Sequence, residues 1–294
     1  MPASEPQSEG VIAVDLGGTR LRVAVYDAGG VERHHDTRLT PPGEPEALAQ
    51  AIVEAKAATS AELRLTEAVV GVPGWVDYRS NRAVALPNLP AWGSIDGAAL
   101  SSETGLRVVF GNDADFAALG EHRFGAGRGT TDLVYVTCST GIGAGVVLGG
   151  RLVRSHRSIA EIGHTVIDWR TDDTVEGLGS GTSLARVAGM PAEVVAARAA
   201  AGDETAARQF HDAAEALAVG ALNMAFLFGP ERIVIGGGMA AAGDLLLGPV
   251  RERFARERSP LLDLRPEDVV LAEQPQGAGL AGAFAFWDSE VRAR

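Results

Sequence analysis

The chain has 294 residues, of which 46% are hydrophobic and 22% are charged, and its formal net charge is −12. This length corresponds to about two domains. An acidic surface repels nucleic acids and anionic membranes, so we expect neither as a main partner. The only cysteine, Cys138, excludes an intramolecular disulfide and a cysteine-rich zinc cluster, and it fits a cytoplasmic location.

The N-terminal residues Met1 to Gly10 are polar and are expected to form a frayed tail rather than a signal peptide. No run of about 18 apolar residues is free of charge or glycine, so no transmembrane helix is predicted.

Apolar runs bounded by turn residues predict strands at 11–14, 21–25, 68–72, 107–110, 133–138, 146–148, 232–235 and 269–272. Helical spacing of apolar residues predicts helices at 46–58, 114–124, 203–228, 244–256 and 277–287, and a helical region from Ser183. The apolar stripe of the long helix, which includes Phe210, is interpreted as core. Alternating strands and helices predict an α/β fold.

The first two strands are joined by Gly17, Gly18 and Thr19. Two glycines let backbone N–H groups approach an anion and permit a positive φ, and Thr19 adds a hydroxyl. Asp15, at the end of the strand, is placed to face a metal ion on phosphates. These residues suit a phosphate-binding hairpin and an ordinary turn equally well. The pattern resembles the phosphate-1 loop of the sugar kinase, Hsp70 and actin superfamily.

Glycine-rich turns follow three predicted strands, and Asn112-Asp113 lies between the first turn and the second. The three turns are Gly17–Gly18, Gly141–Gly145 and Gly236–Gly238. The first two share a strand, turn, strand order, which suggests two related halves. From about residue 11 to residue 286, the chain is similar to the ROK family (repressor, open reading frame, kinase).

This resemblance implies a two-domain, ribonuclease H-like fold with a cleft between the domains. The expected domains are 1–113, closed by a C-terminal helix at 277–294, and 114–276. It also implies ATP with Mg²⁺, a sugar substrate and a homodimer. In this family Thr140 and Gly141, with the first loop, would hold the phosphates, and Gly237 and Gly238 would lie against the adenosine.

Asp113 lies where a strand ends and a helix begins. An aspartate at this position is by default an N-cap, which stabilises a helix by about 1 kcal/mol. The resemblance implies instead that Asp113 is the general base that takes the proton of the sugar hydroxyl. Asn112 would then hold a neighbouring hydroxyl.

The family resemblance also assigns sugar contacts to Glu161 and His164. In the family the matching histidine usually binds zinc together with three cysteines, but no cysteine follows His164 here. Since a structural zinc needs about four ligands, no zinc is expected. His164 would bind the sugar or Glu161, or act as a structural histidine. Packing of Val166, Ile167 and Trp169 is one replacement for the metal, and a mobile lid is the other.

Three further residues complete the predicted sugar site. Glu176 aligns with a family glutamate that reaches the sugar. Gly74 lies in a segment that resembles the family's Gly-x-Pro-Gly-x-Val-Asp and would bring backbone amides to the sugar, and Asn88 would donate its side-chain amide. For Gly74 and Asn88, turn formation alone is an equally good explanation.

The predicted function is an ATP-dependent hexose kinase, with glucose phosphorylated at O6. N-acetylmannosamine, fructose and allose are alternative acceptors. A sugar-sensing repressor is disfavoured, because the first phosphate turn begins too early for a preceding helix-turn-helix. A catalytically silent sugar-binding protein is the third hypothesis.

Overall fold

The structure is a computed structural model that describes residues 8–59, 63–274 and 277–292. Within this range the chain forms two compact units. The first takes in the described residues up to Gly120, Arg154–Ile159 and those from Gly277 onward. The second takes in Glu121–Val153 and the described residues from Ala160 onward as far as 274. Of the tail expected at Met1 to Gly10, residues 1–7 lie outside the described part, and Ser8 to Gly10 already form strand, which corrects that expectation.

Among the described residues, the first part of the chain forms strands β1 to β8 and helices α1 to α3. They are β1 (Ser8–Leu16), β2 (Arg20–Asp27), β3 (Glu32–Leu39), α1 (Glu46–Thr59), β4 (Leu63–Val72), β5 (Trp75–Asp77), β6 (Arg82–Ala85), β7 (Ile95–Asp96), α2 (Gly97–Thr104), β8 (Arg107–Asn112) and α3 (Asp113–Phe124). The main sheet has the order β3-β2-β1-β4-β8. Strands β1, β2 and β3 pair antiparallel, whereas β4 pairs parallel with β1 and β8. The carboxyl ends of β1, β4 and β8 therefore lie at one edge of the sheet.

The second unit contains the remaining strands and helices α4 to α8. They are β9 (Leu133–Cys138), β10 (Ile142–Leu148), β11 (Arg151–Leu152), β12 (Val166–Asp168), β13 (Asp173–Thr174), α4 (Val175–Gly179), α5 (Gly181–Ala188), α6 (Ala192–Ala200), α7 (Glu204–Phe228), β14 (Arg232–Gly236), α8 (Asp244–Arg256) and β15 (Val269–Leu271). Its main sheet has the order β11-β10-β9-β14-β15. The directions repeat those of the first sheet, with an antiparallel β9–β10 hairpin and parallel β14 and β15. The two related halves suggested by the glycine turns therefore appear in the sheet topology.

Each unit has its own apolar core. In the first, the buried side chains of β1, β2, β4 and β8 pack with α1. Helix α9 (Ala278–Phe286) returns to this unit and packs closely on α3, where a Cβ at Gly282 would lie 1.6 Å from the Phe116 carbonyl oxygen. In the second, α7 contributes a buried stripe that includes Phe210 and Leu217. The predicted α/β class is confirmed.

Several elements differ from the sequence prediction. Helices α2 and α6 and the short strands β5, β6, β7, β12 and β13 were not predicted. Strand β10 begins at Ile142, so Gly143 and Gly145 are strand residues and not turn residues. The long helix α7 begins at Glu204 because Asp203 caps it, accepting hydrogen bonds from the backbone N–H of Thr205 and Ala206. None of the helices described has the length and apolar character needed to cross a membrane.

Candidate functional site

The β1–β2 turn carries the first predicted phosphate-binding residues. The Gly17 N–H donates to the Arg20 carbonyl at 2.9 Å, and the Thr40 hydroxyl donates to the Gly17 carbonyl at 2.7 Å. Neither Gly17 nor Gly18 has a positive φ, so the turn does not use the positive φ that glycine permits. A Cβ at position 18 would lie 3.0 Å from the Asn88 Cβ, so a side chain there would need Asn88 to shift slightly. The structure therefore brings Asn88, which is exposed, against the turn.

Asp15, at the end of β1, forms an ion pair with Arg22, whose Nη1 lies 2.8 Å from Asp15 Oδ2. Burial raises the pKa of Asp15, and the nearby Arg22 guanidinium opposes this shift without cancelling it. A carboxylate is a ligand type that Mg²⁺ prefers. Asp15 fits such an ion through Oδ1, since Oδ2 accepts from Arg22. Among the residues the structure covers, no group of three or more His, Cys, Asp or Glu is arranged to hold a metal.

Asp113 is the first residue of α3, but it is not the cap of that helix. The side-chain oxygen of Asn112 accepts the backbone N–H groups of Ala114 at 2.9 Å and Asp115 at 3.2 Å, which is the hydrogen-bonding pattern of an N-cap. One Asp113 oxygen accepts the Ala114 N–H at 2.9 Å. Asp113 is half-buried, whereas Asn112 is 7% exposed. The default explanation of Asp113 as an N-cap was therefore wrong.

Gly74 joins this group through its backbone. The Asn112 side-chain amide donates to the Gly74 carbonyl at 3.0 Å. Gly74 has a φ of +111°, and a Cβ there would lie 2.3 Å from the Ala85 carbonyl oxygen, so only glycine fits. Gly74, Asn112 and Asp113 therefore lie together in the first unit.

In the second unit, Glu176 is bonded to the turn between β9 and β10. The Ile142 N–H donates to Glu176 Oε2 at 2.7 Å, and a Cβ at Gly141 would lie 2.5 Å from the same oxygen. Below the turn, the Gly181 N–H donates to the Ser139 carbonyl at 2.8 Å, which ties the start of α5 to it. Thr140, Gly141 and Glu176 are thus neighbours.

A short 3₁₀ turn spans Ile162–His164; Glu161 directly precedes it and His164 is its last residue, and both are exposed. The His164 N–H donates to the Glu161 carbonyl at 3.1 Å. Within the described part of the chain the His164 imidazole has no hydrogen bond. A buried, satisfied structural histidine is therefore excluded.

The segment after His164 does not pack as suggested. It forms the two-stranded β12–β13 hairpin, in which the Val166 side chain is 50% exposed and the Trp169 side chain is 76% exposed. Only Ile167 packs against the core. The Arg170 guanidinium lies 4.5 Å from the centre of the Trp169 ring. Packing of Val166 and Trp169 in place of a zinc site was therefore a wrong expectation.

A cavity of about 670 Å³ opens within the second unit, a size typical of small-molecule sites. Its wall includes residues from the β9–β10 turn, the start of α5, α6, α7 and the turn after β14. These are Ser139, Thr140, Gly181, Thr182, Ala185, Pro191, Ala192, Glu193, Ala196, Phe210, Gly238, Met239, Ala241 and Ala242. Its lining is mainly small and apolar, with a few hydroxyls and one carboxylate. Such a surface fits a flat organic ring.

Gly237 directly precedes Gly238, which lies in the wall of this cavity. Gly237 has a φ of +85°, and a Cβ there would lie 2.4 Å from the Cys138 carbonyl oxygen.

Burial, with a smaller effect from Glu176, raises the pKa of the Cys138 thiol to about 12, so this cysteine is not a nucleophile at neutral pH.

Thr140 and Gly238, which the sequence predicts as nucleotide contacts, both lie in this wall. The sequence did not predict that α6 and Phe210 contribute to it. Helix α6 is short and rich in alanine, and gives little periodic signal. Phe210 lies in a regular apolar stripe and is 1% exposed, so its pattern is that of a core residue.

Comparison with known proteins gives one family. Residues 11–290 match the model of the ROK family. A glucokinase from Streptomyces coelicolor is 31% identical over 92% of this chain and 95% of its own length. An N-acetylmannosamine kinase from Escherichia fergusonii is 31% identical over 95% of this chain and 98% of its own. Among solved structures, the ROK hexokinase from Thermus thermophilus has a TM-score of 0.80 and 31% identity, covering 97% of this chain and 100% of its own. A ROK glucokinase from Streptomyces griseus, in complex with glucose and AMPPNP, has a TM-score of 0.77 and 30% identity, covering 94% and 98%.

Proposed function

This chain belongs to the ROK family and is a hexokinase-type kinase, and we propose that it transfers the γ-phosphate of ATP to O6 of glucose. Asp113 is the general base in this proposal. Phosphoryl transfer depends on an acceptor hydroxyl that is oriented and gives up its proton as it attacks. A carboxylate serves without a raised pKa, because the hydroxyl becomes acidic late in the transfer.

The arrangement of Asn112 and Asp113 is the observation that carries the proposal. Asn112, and not Asp113, caps α3. The Asp113 side chain is half-buried at the first turn of the helix. This leaves a carboxylate at a fixed backbone position that helix capping does not explain.

The donor side of the proposal rests on the second unit. The cavity of about 670 Å³ has room for an adenosine, and Thr140 and Gly238 lie in its wall. Thr140, Gly141, Gly237 and Gly238 are the proposed nucleotide contacts there. The Streptomyces griseus glucokinase was solved with AMPPNP, an ATP analogue, which supports ATP as the donor.

In the first unit, the β1–β2 turn is proposed to contact phosphate. Gly17, Gly18 and Thr19 follow the end of β1 and are the proposed contacts. Because the Gly17 N–H already donates to the Arg20 carbonyl, the proposed donors are the backbone N–H groups of Gly18 and Thr19 and the Thr19 hydroxyl. Asp15 is the proposed residue toward Mg²⁺, through the oxygen that does not accept from Arg22. When bound, the cation would neutralise phosphate charge.

Six residues are the proposed sugar contacts. They are Gly74, Asn88, Asn112, Glu161, His164 and Glu176. His164 is exposed, and its imidazole is without a hydrogen bond in the described part of the chain. Asn112 gives one amide hydrogen to Gly74, and the amide carries a second.

N-acetylmannosamine is the second candidate acceptor. The N-acetylmannosamine kinase from Escherichia fergusonii has the same identity to this chain, 31%, as the Streptomyces coelicolor glucokinase. A bifunctional NanE/NanK enzyme from Brucella melitensis is 36% identical, although this chain spans about half of its length.

The test is a coupled kinase assay with ATP over glucose, N-acetylmannosamine, fructose, allose and mannose. The proposal predicts the highest kcat/KM with glucose and a product phosphorylated at O6. A preference for N-acetylmannosamine would replace glucose with the second candidate. Sugar binding by calorimetry without turnover of any sugar would refute the kinase and support a silent sugar-binding protein.

We also propose a homodimer in the cytoplasm, where ATP and sugar are available. Light scattering at assay concentration tests the first part. A mass equal to that of the 30.5 kDa chain would refute the dimer.

A further inference from the structure

A buried carboxylate lies two residues after Asp113 on α3. Asp115 is 1% exposed, and its Oδ2 accepts a hydrogen bond from the Tyr78 hydroxyl at 2.8 Å. Burying a carboxylate costs several kcal/mol unless it is well bonded. Neither Asp115 nor Tyr78 is the proposed base or a proposed contact of sugar or nucleotide, so the function proposed above does not explain this pair.

The same tyrosine also reaches the residue before Asp113. The Asn112 backbone N–H donates to the Tyr78 hydroxyl at 3.4 Å, while the Asn112 side-chain oxygen accepts the Asp115 N–H at 3.2 Å. Asn112 and Asp115 are therefore linked to each other and to one hydroxyl. Asp113 lies between them in the chain, so its backbone is held from both sides.

Tyr78 is itself fixed by a segment that is distant in the sequence. Its backbone N–H donates to the His156 carbonyl at 3.0 Å. The Arg154 guanidinium lies 5.6 Å from the Tyr78 ring centre and 4.7 Å from that of Phe286, and it pairs with Glu290 at 3.4 Å. A ring clamped in this way holds its hydroxyl in one place.

The hydroxyl stays a donor over the whole working range of pH. Burial is the main cause that raises the pKa of Tyr78, and the Asp115 charge adds to it. The Tyr78 proton is therefore available to the Asp115 carboxylate throughout.

We propose that Tyr78 and Asp115 are positioning residues for phosphoryl transfer, which set the orientation of Asp113 toward the acceptor hydroxyl. This inference rests on the proposed role of Asp113 as the base. Displacements of about 1 Å cost about a hundredfold in rate when reacting groups must be aligned. A buried hydrogen bond that fixes the first turn of α3 can therefore affect the rate of phosphoryl transfer.

The test compares Tyr78→Phe with Tyr26→Phe in the full chain. The Tyr26 hydroxyl also donates to a carboxylate, Glu32, at 3.2 Å, in the same unit, but on the β2–β3 pair. We expect Tyr78→Phe to lower kcat about tenfold or more, with the KM for ATP within about twofold, and Tyr26→Phe to leave kcat unchanged. A fall in melting temperature for Tyr78→Phe without a change in kcat would overturn the proposal.

Two variants of Asp115 separate the effect of losing its hydrogen-bond acceptor from the effect of losing its charge. Asp115→Asn keeps an oxygen that can accept from Tyr78, so we expect it to retain most of kcat. Asp115→Ala removes the acceptor, and we expect it to match the loss of Tyr78→Phe. Equal kcat in Asp115→Asn and Asp115→Ala would contradict the proposal.

A double variant distinguishes this proposal from the function on which it rests. If Tyr78 acts through Asp113, Tyr78→Phe has no further effect on the residual kcat of Asp113→Asn. A loss in that background as large as in the wild type would overturn the positioning role and leave the base intact. Full activity of Asp113→Asn alone would refute the base, and with it the positioning role.

Discussion

The carboxylate of Glu176 accepts a hydrogen bond from the backbone N–H of Ile142 at 2.7 Å. Ile142 is the first residue of β10 and is buried, so its N–H needs a partner inside the protein. A residue proposed to contact sugar therefore also fixes the turn proposed to hold phosphate.

Glu176→Ala is expected to destabilise the chain by about 1–3 kcal/mol, because it leaves the buried Ile142 N–H without an acceptor. Glu176→Gln keeps an acceptor oxygen and is expected to cost less. Urea unfolding of both variants measures the difference. Glu204→Ala, which removes a carboxylate that is 90% exposed, is the control and should behave as the wild type. Equal stability of Glu176→Ala and Glu204→Ala would show that the bond has no structural value.

Gly237→Ala and Gly238→Ala form a matched pair at the edge of the cavity. Gly237 has a φ of +85° and a Cβ there would lie 2.4 Å from backbone, whereas a Cβ at Gly238 meets nothing within 4 Å. We expect Gly237→Ala to lose about 3 kcal/mol or more of stability. Gly238→Ala should stay within about 1 kcal/mol of the wild type. Thermal unfolding distinguishes them, and similar melting temperatures would contradict the close contact with Cys138.

Ala196→Trp tests whether the cavity binds the nucleotide. Ala196 lines the cavity, while the next residue on α6, Ala197, is exposed and absent from its wall. A tryptophan at 196 would fill the space proposed for adenosine, so the KM for ATP should rise about tenfold or more. Ala197→Trp should leave this KM unchanged. A normal KM for ATP in a folded Ala196→Trp variant would place the nucleotide elsewhere.

The stability of the chain should depend on pH through Asp15. Burial holds the folded-state pKa of Asp15 above its unfolded value, so the folded chain binds more protons between the two values. The contribution of Asp15 to the unfolding free energy is then full below its unfolded pKa and falls as the pH rises through the window. Removing its charge with Asp15→Asn abolishes this dependence.

Urea unfolding of wild type and Asp15→Asn at about pH 7 and about pH 4 measures this difference. The wild type should gain stability relative to Asp15→Asn as the pH is lowered. Other carboxylates are common to both proteins, so their effects cancel in the difference. A difference that moves the opposite way would mean that Arg22 outweighs burial at this site.

Much of this fold can be predicted from local sequence pattern. The apolar runs of β1, β4 and β9 are bounded by turn residues, and the long stripe of α7 repeats at helical spacing. Such patterns record which face of an element is buried. The α/β class and the two glycine hairpins follow from them.

What the sequence did not reveal depends on contacts between distant segments. Asn88 lies close against Gly18, 70 residues away in the sequence, which no local rule predicts. Gly143 and Gly145 suggest a turn by composition, but pairing with β9 keeps them in a strand. Asn112, and not Asp113, caps α3. The sequence did not predict this, because the residue at which a helix begins depends on backbone geometry and can differ by one position.

The central claim is that Asp113 is the base, and the kcat of Asp113→Asn with glucose and ATP tests it most directly. Asp212→Asn, which changes an exposed aspartate on α7, is the matched control. We predict that Asp113→Asn lowers kcat by about a hundredfold or more, with glucose and ATP binding retained by calorimetry. A folded Asp113→Asn protein with the kcat of the Asp212→Asn control would contradict the account.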